Sequence, residues 1–221
     1  MTKIKICGIT RMEDVAYINE AMPDFAGFVF VPESRRYIAP HSARQLRGIM
    51  DGAIISVGVF RDADPRLIEG LAGDGTIGAI QLHGAESDGY IASLRGRLDS
   101  LSEKHIPIIR AVRVSGADSF ARPSGAGAAD ILLYDNGSGG TGKSFGIELL
   151  DAARTAGKLP DLPFFLAGGI GEGNIGEAAR RRPYGIDVSS GAESGGAKDR
   201  EKILALVNAV RDMDNNLSAR Q

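Results

Sequence analysis

Phe164-Phe165-Leu166-Ala167-Gly168-Gly169-Ile170, followed by a polar segment and then Gly185-Ile186-Asp187-Val188-Ser189-Ser190-Gly191, holds one full repeat of this chain's architecture. Each half is a short apolar run that stops at small residues, and a helix is expected from near Asn174 between them. Runs of this kind suit parallel strands covered on both faces. Working outward, the same unit recurs along the chain. Strands are expected at Lys3–Ile9, Phe25–Phe30, Ile54–Phe60, Ala79–His83, Pro107–Val114, Asp130–Tyr134, Phe164–Ala167 and Gly185–Val188. Helical patterns fall between them. Met12, Val15, Ala16 and Ile18 share one face. Asp64-Pro65 reads as an N-cap with proline at the first helical position, before Leu67, Ile68 and Leu71. Ile203, Leu204, Leu206, Val207 and Val210 give a strongly periodic last helix. Ser115–Gly127, rich in Ser, Gly and Ala, predicts a short or irregular helix, and the polar stretch 213–221 predicts a frayed tail. Strand–helix alternation implies a parallel sheet. Eight repeats favour a single-domain (β/α)8 TIM barrel over residues 1–221, with an open doubly wound sheet as the alternative.

Composition narrows the function. The chain has 221 residues, 43% of them hydrophobic, and a formal net charge of -2, which argues against nucleic acid or an anionic membrane as a partner. No apolar run approaches the roughly 20 residues of a membrane span, and the N-terminus lacks a signal-peptide pattern. One cysteine forms no internal disulfide, so a cytoplasmic home is expected. Monomer and homodimer both stay open.

A barrel of this class keeps its chemistry at the C-terminal ends of its strands, often with phosphate after strands seven and eight. Gly168-Gly169 there lets backbone N–H groups approach an anion, and Ser189, Ser190 and Gly191 add donors beside it. A tight turn explains one such motif, but two at adjacent strand ends point to a small sugar phosphate. The segment Gly139–Lys143 lacks P-loop spacing and reads as a glycine-rich lid. Cys7, followed by Gly8 at the end of strand one, is either a small buried hydrophobe or a thiolate base helped by nearby arginines. Asp135, emerging from an apolar strand, is a helix cap, a salt-bridge partner or a general acid. Arg36 suits a substrate carboxylate, although Arg35-Arg36 also reads as a solvated pair. Strand five carries Arg110 and Arg113. His83 could cap, ligate or titrate. Histidines at 41, 83 and 105 lack ligand-like spacing, so no metal is expected.

From Lys3 to about Val210 the chain resembles the phosphoribosylanthranilate isomerase family. The resemblance rests on Lys5-Ile6-Cys7-Gly8-Ile9-Thr10, Gly27-Phe28-Val29-Phe30 with Ser34-Arg35-Arg36-Tyr37-Ile38, and Val57-Gly58-Val59-Phe60. It continues through Gln81-Leu82-His83-Gly84, Gly139-Gly140-Thr141-Gly142-Lys143-Ser144-Phe145, Gly168-Gly169-Ile170 with Asn174, and Asp187-Val188-Ser189-Ser190-Gly191. It implies an Amadori rearrangement of N-(5-phosphoribosyl)anthranilate, with no cofactor and no metal. Asp135 matches the family's general acid, Cys7 its general base, and Arg36 the residue holding the anthranilate end, with Asp187 helping shape that pocket. Gly146-Ile147 after Phe145 and a short segment 136–143 depart from the family pattern, and both touch the lid. Asp24 after Pro23 reads as a surface change. Indole-glycerol-phosphate synthase would need a catalytic lysine and glutamates at strand ends, and Lys5 is the lysine that strand one offers. A histidine-pathway aminoaldose isomerase would need an aspartate where Cys7 stands. A non-catalytic sugar-phosphate-binding barrel is the remaining alternative.

Overall fold

The computed structural model describes residues 1–121, 126–136, 147–159 and 161–218. Eight strands, β1 (Lys3–Cys7), β2 (Phe25–Val29), β3 (Ile55–Phe60), β4 (Ala79–Leu82), β5 (Ile108–Arg113), β6 (Ile131–Asp135), β7 (Phe164–Ala167) and β8 (Gly185–Val188), pair in chain order into a closed barrel. Every pairing is parallel, and β8 closes onto β1 with Lys5 beside Asp187. The open-sheet alternative is therefore excluded, and the chain is a single-domain (β/α)8 barrel. Strands β1, β2, β4 and β5 stop a residue or two earlier than expected, and β6 runs one residue further, to Asp135.

Among the described residues seven helices surround the barrel: α1 (Met12–Ala21), α2 (Pro40–Ile49), α3 (Pro65–Gly73), α4 (Asp88–Leu101), α5 (Ile147–Thr155), α6 (Ile175–Arg180) and α7 (Arg200–Ser218). Their starts follow local chemistry. Asp64 caps α3 by accepting from Arg66 N–H at 2.9 Å, and Ser87 caps α4 through Tyr90 N–H. Between β5 and β6 the described residues form the short turns Ala117–Phe120 and Ala126–Ala128, in line with the Ser/Gly/Ala composition. After β8 come a turn at Ser190–Ala192 and a small antiparallel hairpin, β9 (Glu193–Ser194) and β10 (Ala197–Lys198).

Helix α7 runs to Ser218, and Asp214 in it accepts a hydrogen bond from Thr2 N–H at 2.6 Å. One sequence expectation needs correction. Asp24 is a junction rather than a surface change. Its carboxylate accepts from Lys3 Nζ, Ile4 N–H and Arg211 Nη2, each at 2.9 Å, tying β1, β2 and α7 together.

Strand alternation divides the core. Ile4, Ile6, Phe28, Ile80, Leu132, Leu166 and Ile186 face outward and pack on Ile18, Ile68, Leu94, Leu150 and Leu206 of the helices. Phe25, Val57, Ala79, Ile109, Ile131, Leu133 and Phe165 fill the barrel interior, where Phe25 meets Phe165 edge-on at 5.5 Å. Each fully buried large side chain contributes about 1.5–3 kcal/mol. The packed lower interior leaves the C-terminal mouth as the place where inward side chains stay open to a ligand.

Candidate active site

The same alternation that buries Phe25 and Leu133 aims Cys7, Asp135 and Asp187 at the barrel axis. They join His83, Arg36, Gly168, Gly169, Ser189 and Ser190 around one cavity of about 230 Å3 at the C-terminal mouth. Ser34, Arg61 and Gln81 complete its polar lining, while Val29, Val31, Val59 and Ile170 give it apolar walls. An aromatic ring on one side and a phosphosugar on the other would match that mixture.

Cys7 ends β1 under Val29, Val31 and Val59 and is 7% exposed. Gly27 on β2 makes room for it, since a Cβ there would lie 2.8 Å from Cys7 Sγ. Gly8 follows with φ +88°, a conformation that favours glycine, and the Arg36 side chain lies across it. Arg36 and Arg61 line the cavity with the thiol, as expected, but the cations that act most on it are two lysines. Burial pushes the Cys7 thiol above its ordinary value, while Lys5 and Lys198 pull it down. Lys5 is wholly buried inside the barrel, with Nζ 2.9 Å from Asp187 Oδ1, and it interacts electrostatically with Cys7, two residues on along the same inward face. Burial lowers the Lys5 ammonium, but Asp187 and Cys7 outweigh it and hold the group above its usual value.

Asp135 stands at the end of β6. His83 Nε2 lies 3.5 Å from its Oδ2, and Gln81 Nε2 lies 3.1 Å from His83 Nδ1. An amide N–H donating to Nδ1 leaves the ring proton of a neutral His83 on Nε2, facing Asp135. Gly168, with φ +88°, packs against the Asp135 and Asn136 side chains, and a Cβ there would overlap both.

Side-chain-to-backbone hydrogen bonds fix the loops after β7 and β8. Asn174 stands at the start of α6, and its side chain accepts from Gly171 N–H at 2.9 Å and donates to Gly169 carbonyl at 3.0 Å, locking the loop after β7. Gly191 sits behind the cavity, so close that a Cβ would lie 2.8 Å from Gly171 Cα. The loops after β7 and β8 therefore form one unit. Ser189 Oγ donates to Cys7 carbonyl at 3.2 Å, joining that unit to β1.

A model of the N-(5'-phosphoribosyl)anthranilate (PRA) isomerase family matches residues 4–209. The chain belongs to this family. The N-(5'-phosphoribosyl)anthranilate isomerase of Endomicrobium trichonymphae is 42% identical over 218 residues, covering 96% of this chain and 100% of that one. The solved enzyme from Thermotoga maritima superposes with a TM-score of 0.80 at 32% identity, over 96% of this chain and 100% of that one. Another solved family member, in complex with reduced 1-(o-carboxyphenylamino)-1-deoxyribulose 5-phosphate, has a TM-score of 0.79 at 31% identity, with coverage of 96% and 100%. The activity is accordingly that of an isomerase acting on phosphoribosylanthranilate.

Sequence reasoning missed the ionic frame of this isomerase site. Arg36 is held by Glu193 in a two-pronged pair, Nε to Oε1 at 2.6 Å and Nη2 to Oε2 at 2.9 Å. Glu193 also accepts from Arg35 and from the buried Lys198 Nζ at 2.8 Å. Burial pushes the Glu193 carboxyl up, yet Arg36 and Lys198 bring it below its usual range. Arg110 lies outside the cavity, paired with buried Glu86 at 2.5 Å, and Glu86 in turn accepts from Asp62 and Gly84 N–H. Arg113 is exposed. The segment Gly139–Lys143 and Gly146 lie outside the described residues, while Ile147, the second residue of the Gly146-Ile147 departure, is buried at the start of α5.

Proposed function

We propose that Asp135 and Cys7 divide the Amadori rearrangement of N-(5-phosphoribosyl)anthranilate between them. Asp135, in its protonated form, gives its proton to the ribose ring oxygen. The C1–O bond breaks and the anilino nitrogen's lone pair forms the C1 iminium. The Cys7 thiolate then removes the C2 proton, and the C2–H electrons form the enamine. Tautomerisation of the enol gives the C2 ketone, 1-(2-carboxyphenylamino)-1-deoxyribulose 5-phosphate. No electrons leave the substrate, so the reaction calls for acid–base groups alone.

The observation that carries this reading is placement. Asp135 on β6 and Cys7 on β1 line one cavity together with Gly168, Gly169, Ser189 and Ser190, and the cavity's second carboxylate, Asp187, is paired with Lys5. Gly168, Gly169, Ser189 and Ser190, with Gly191 behind them, take the phosphate. Arg36 takes the anthranilate carboxylate through the edge of its guanidinium that Glu193 leaves open. His83 and Asp187 shape the space between. Every group named comes from one chain, which fits a monomer or a homodimer alike. The family's name supports a place in tryptophan biosynthesis, and the single cysteine supports a cytoplasmic setting. Among the described residues no helix is long and apolar enough to cross a membrane.

The test is the loss of anthranilate-ribose fluorescence when purified, folded protein meets freshly made substrate. Turnover to a product with the aminoketose mass supports the reading. A folded protein that leaves the fluorescence decay at its uncatalysed rate refutes it.

A further inference from the structure

Burial leaves the thiol assigned as base harder to ionise, and the barrel interior holds a group suited to offset this. Lys5 is fully buried, two residues before Cys7 on the same strand and on the same inward face. Below it the barrel is packed with hydrophobic side chains, an expensive place for an ammonium group unless it has partners. It has two, the Asp187 carboxylate at 2.9 Å and the Cys7 side chain. We propose that Lys5 is a positioning residue whose ammonium is the counter-ion of the Cys7 thiolate, with Asp187 holding that ammonium in place.

This rests on the reading of Cys7 as the base, but it concerns ionisation of the thiol and is tested without turnover. Further titratable and charged groups surround the thiol. Asp187 on β8 and Lys198 on β10 act on it directly, with opposite signs. Arg36, Arg61, His83 and Asp135 lie around the same cavity. Of the cations, Lys5 lowers the thiol most, and it is screened from water by complete burial on the inward face that it shares with Cys7. An opposite charge within about 4–6 Å lowers an acid's pKa by about 1–3 units. Asp187 works both ways. It keeps Lys5 charged, and it also competes with the thiolate for that charge.

The two partners therefore predict opposite shifts. Cys7 is the chain's only cysteine, so thiolate absorbance near 240 nm and alkylation by iodoacetamide across pH report on it alone. In Lys5→Met the thiolate midpoint should rise by about one unit or more, and alkylation below the midpoint should slow about tenfold or more. In Asp187→Asn the midpoint should fall, because the thiolate becomes the main counter-ion of Lys5. Lys5→Arg, which keeps the charge, should stay closer to wild type than Lys5→Met. A Lys5→Met titration that overlays the wild type, or shifts of the same sign in both partners' variants, overturns the proposal. If Lys5→Met does not fold, as judged by circular dichroism, Asp187→Asn decides alone, and an unmoved or raised midpoint refutes it. A dead Cys7 variant bears on the base reading, whereas these midpoints bear on Lys5, so the two failures are distinguishable.

Discussion

Gly27→Ala is a small substitution aimed at the base. An ideal Cβ at position 27 would lie 2.8 Å from Cys7 Sγ, 3.1 Å from Cys7 Cα and 3.3 Å from Cys7 Cβ. Ordinary heavy-atom contact needs about 3.5–4.0 Å, so the sulfur must retreat by about 0.7–1 Å. A change of side-chain rotamer does not solve the problem, because the Cα of Cys7 is also too close and strand pairing sets Cys7 opposite Gly27. Overpacking of this kind costs about 1–3 kcal/mol of stability. A typical domain has about 5–15 kcal/mol, so the variant still folds. Catalysis suffers more, since a misplacement of about 1 Å costs about 100-fold in rate. The expected result is a kcat lower by about two orders of magnitude with a thermal melt still cooperative. Gly48→Ala is the control. It sits in α2 with nothing within 4 Å of its ideal Cβ, and alanine there should stabilise by about 1 kcal/mol with kcat unchanged. A Gly27→Ala enzyme within threefold of wild-type kcat would refute the claim that this glycine sets the thiol's position.

Glu193→Gln removes the charge that holds Arg36. Loss of a charge-assisted hydrogen bond of about 1.5 kcal/mol predicts a KM raised about tenfold with kcat nearly kept, and an unchanged KM in steady-state assays would count against Arg36 as the carboxylate holder. Gln81→Met frees the His83 ring, so kcat should drop about tenfold, whereas wild-type kcat would show that the ring's hydrogen bond to Gln81 is dispensable. Asp24 and Glu193 predict the acid limit of stability. Burial pushes both carboxyls up, but Lys3, Ile4 N–H and Arg211 for Asp24, and Arg36 and Lys198 for Glu193, bring both below their usual values. With folded values below unfolded ones, their contribution is complete above about pH 5 and is lost as pH falls through about 4 and below. Denaturant titrations from pH 7 to pH 3 should show that fall, flattened in Asp24→Asn. Equal falls in both proteins would remove Asp24 from the account.

The barrel was legible because period and punctuation agree along the chain. Short β-rich runs end at Gly8, Gly84, Gly168 and Ser189, and the intervening helices carry their own caps, such as Asp64-Pro65. The positions of Cys7, Asp135, Gly168 and Ser189 at strand ends follow from that reading alone, and all four line the cavity. The partners of those residues were not legible, because they are set by three-dimensional closure. Lys5 meets Asp187 only once β8 returns to β1. Glu193 and Lys198 lie in a hairpin beyond the last barrel strand, and nothing local marks them as the brace of Arg36. Alternation did carry one unused signal. Lys5 shares the inward phase of Cys7, and an inward lysine in a closed barrel must find a carboxylate. Asp24 looked like surface for the same reason in reverse, since its partner Arg211 lies at the far end of the chain.

The central claim is the division of labour between Cys7 and Asp135, and single-variant kinetics on freshly made substrate test it most directly. Cys7→Ala and Asp135→Ala should each lower kcat by about 100-fold or more, within the 10²–10⁴-fold range of a general acid or base, while KM stays within a few-fold of wild type. Near-normal kcat in either variant would contradict the role given to that residue, and a rise in KM with kcat preserved would make it a binding group instead.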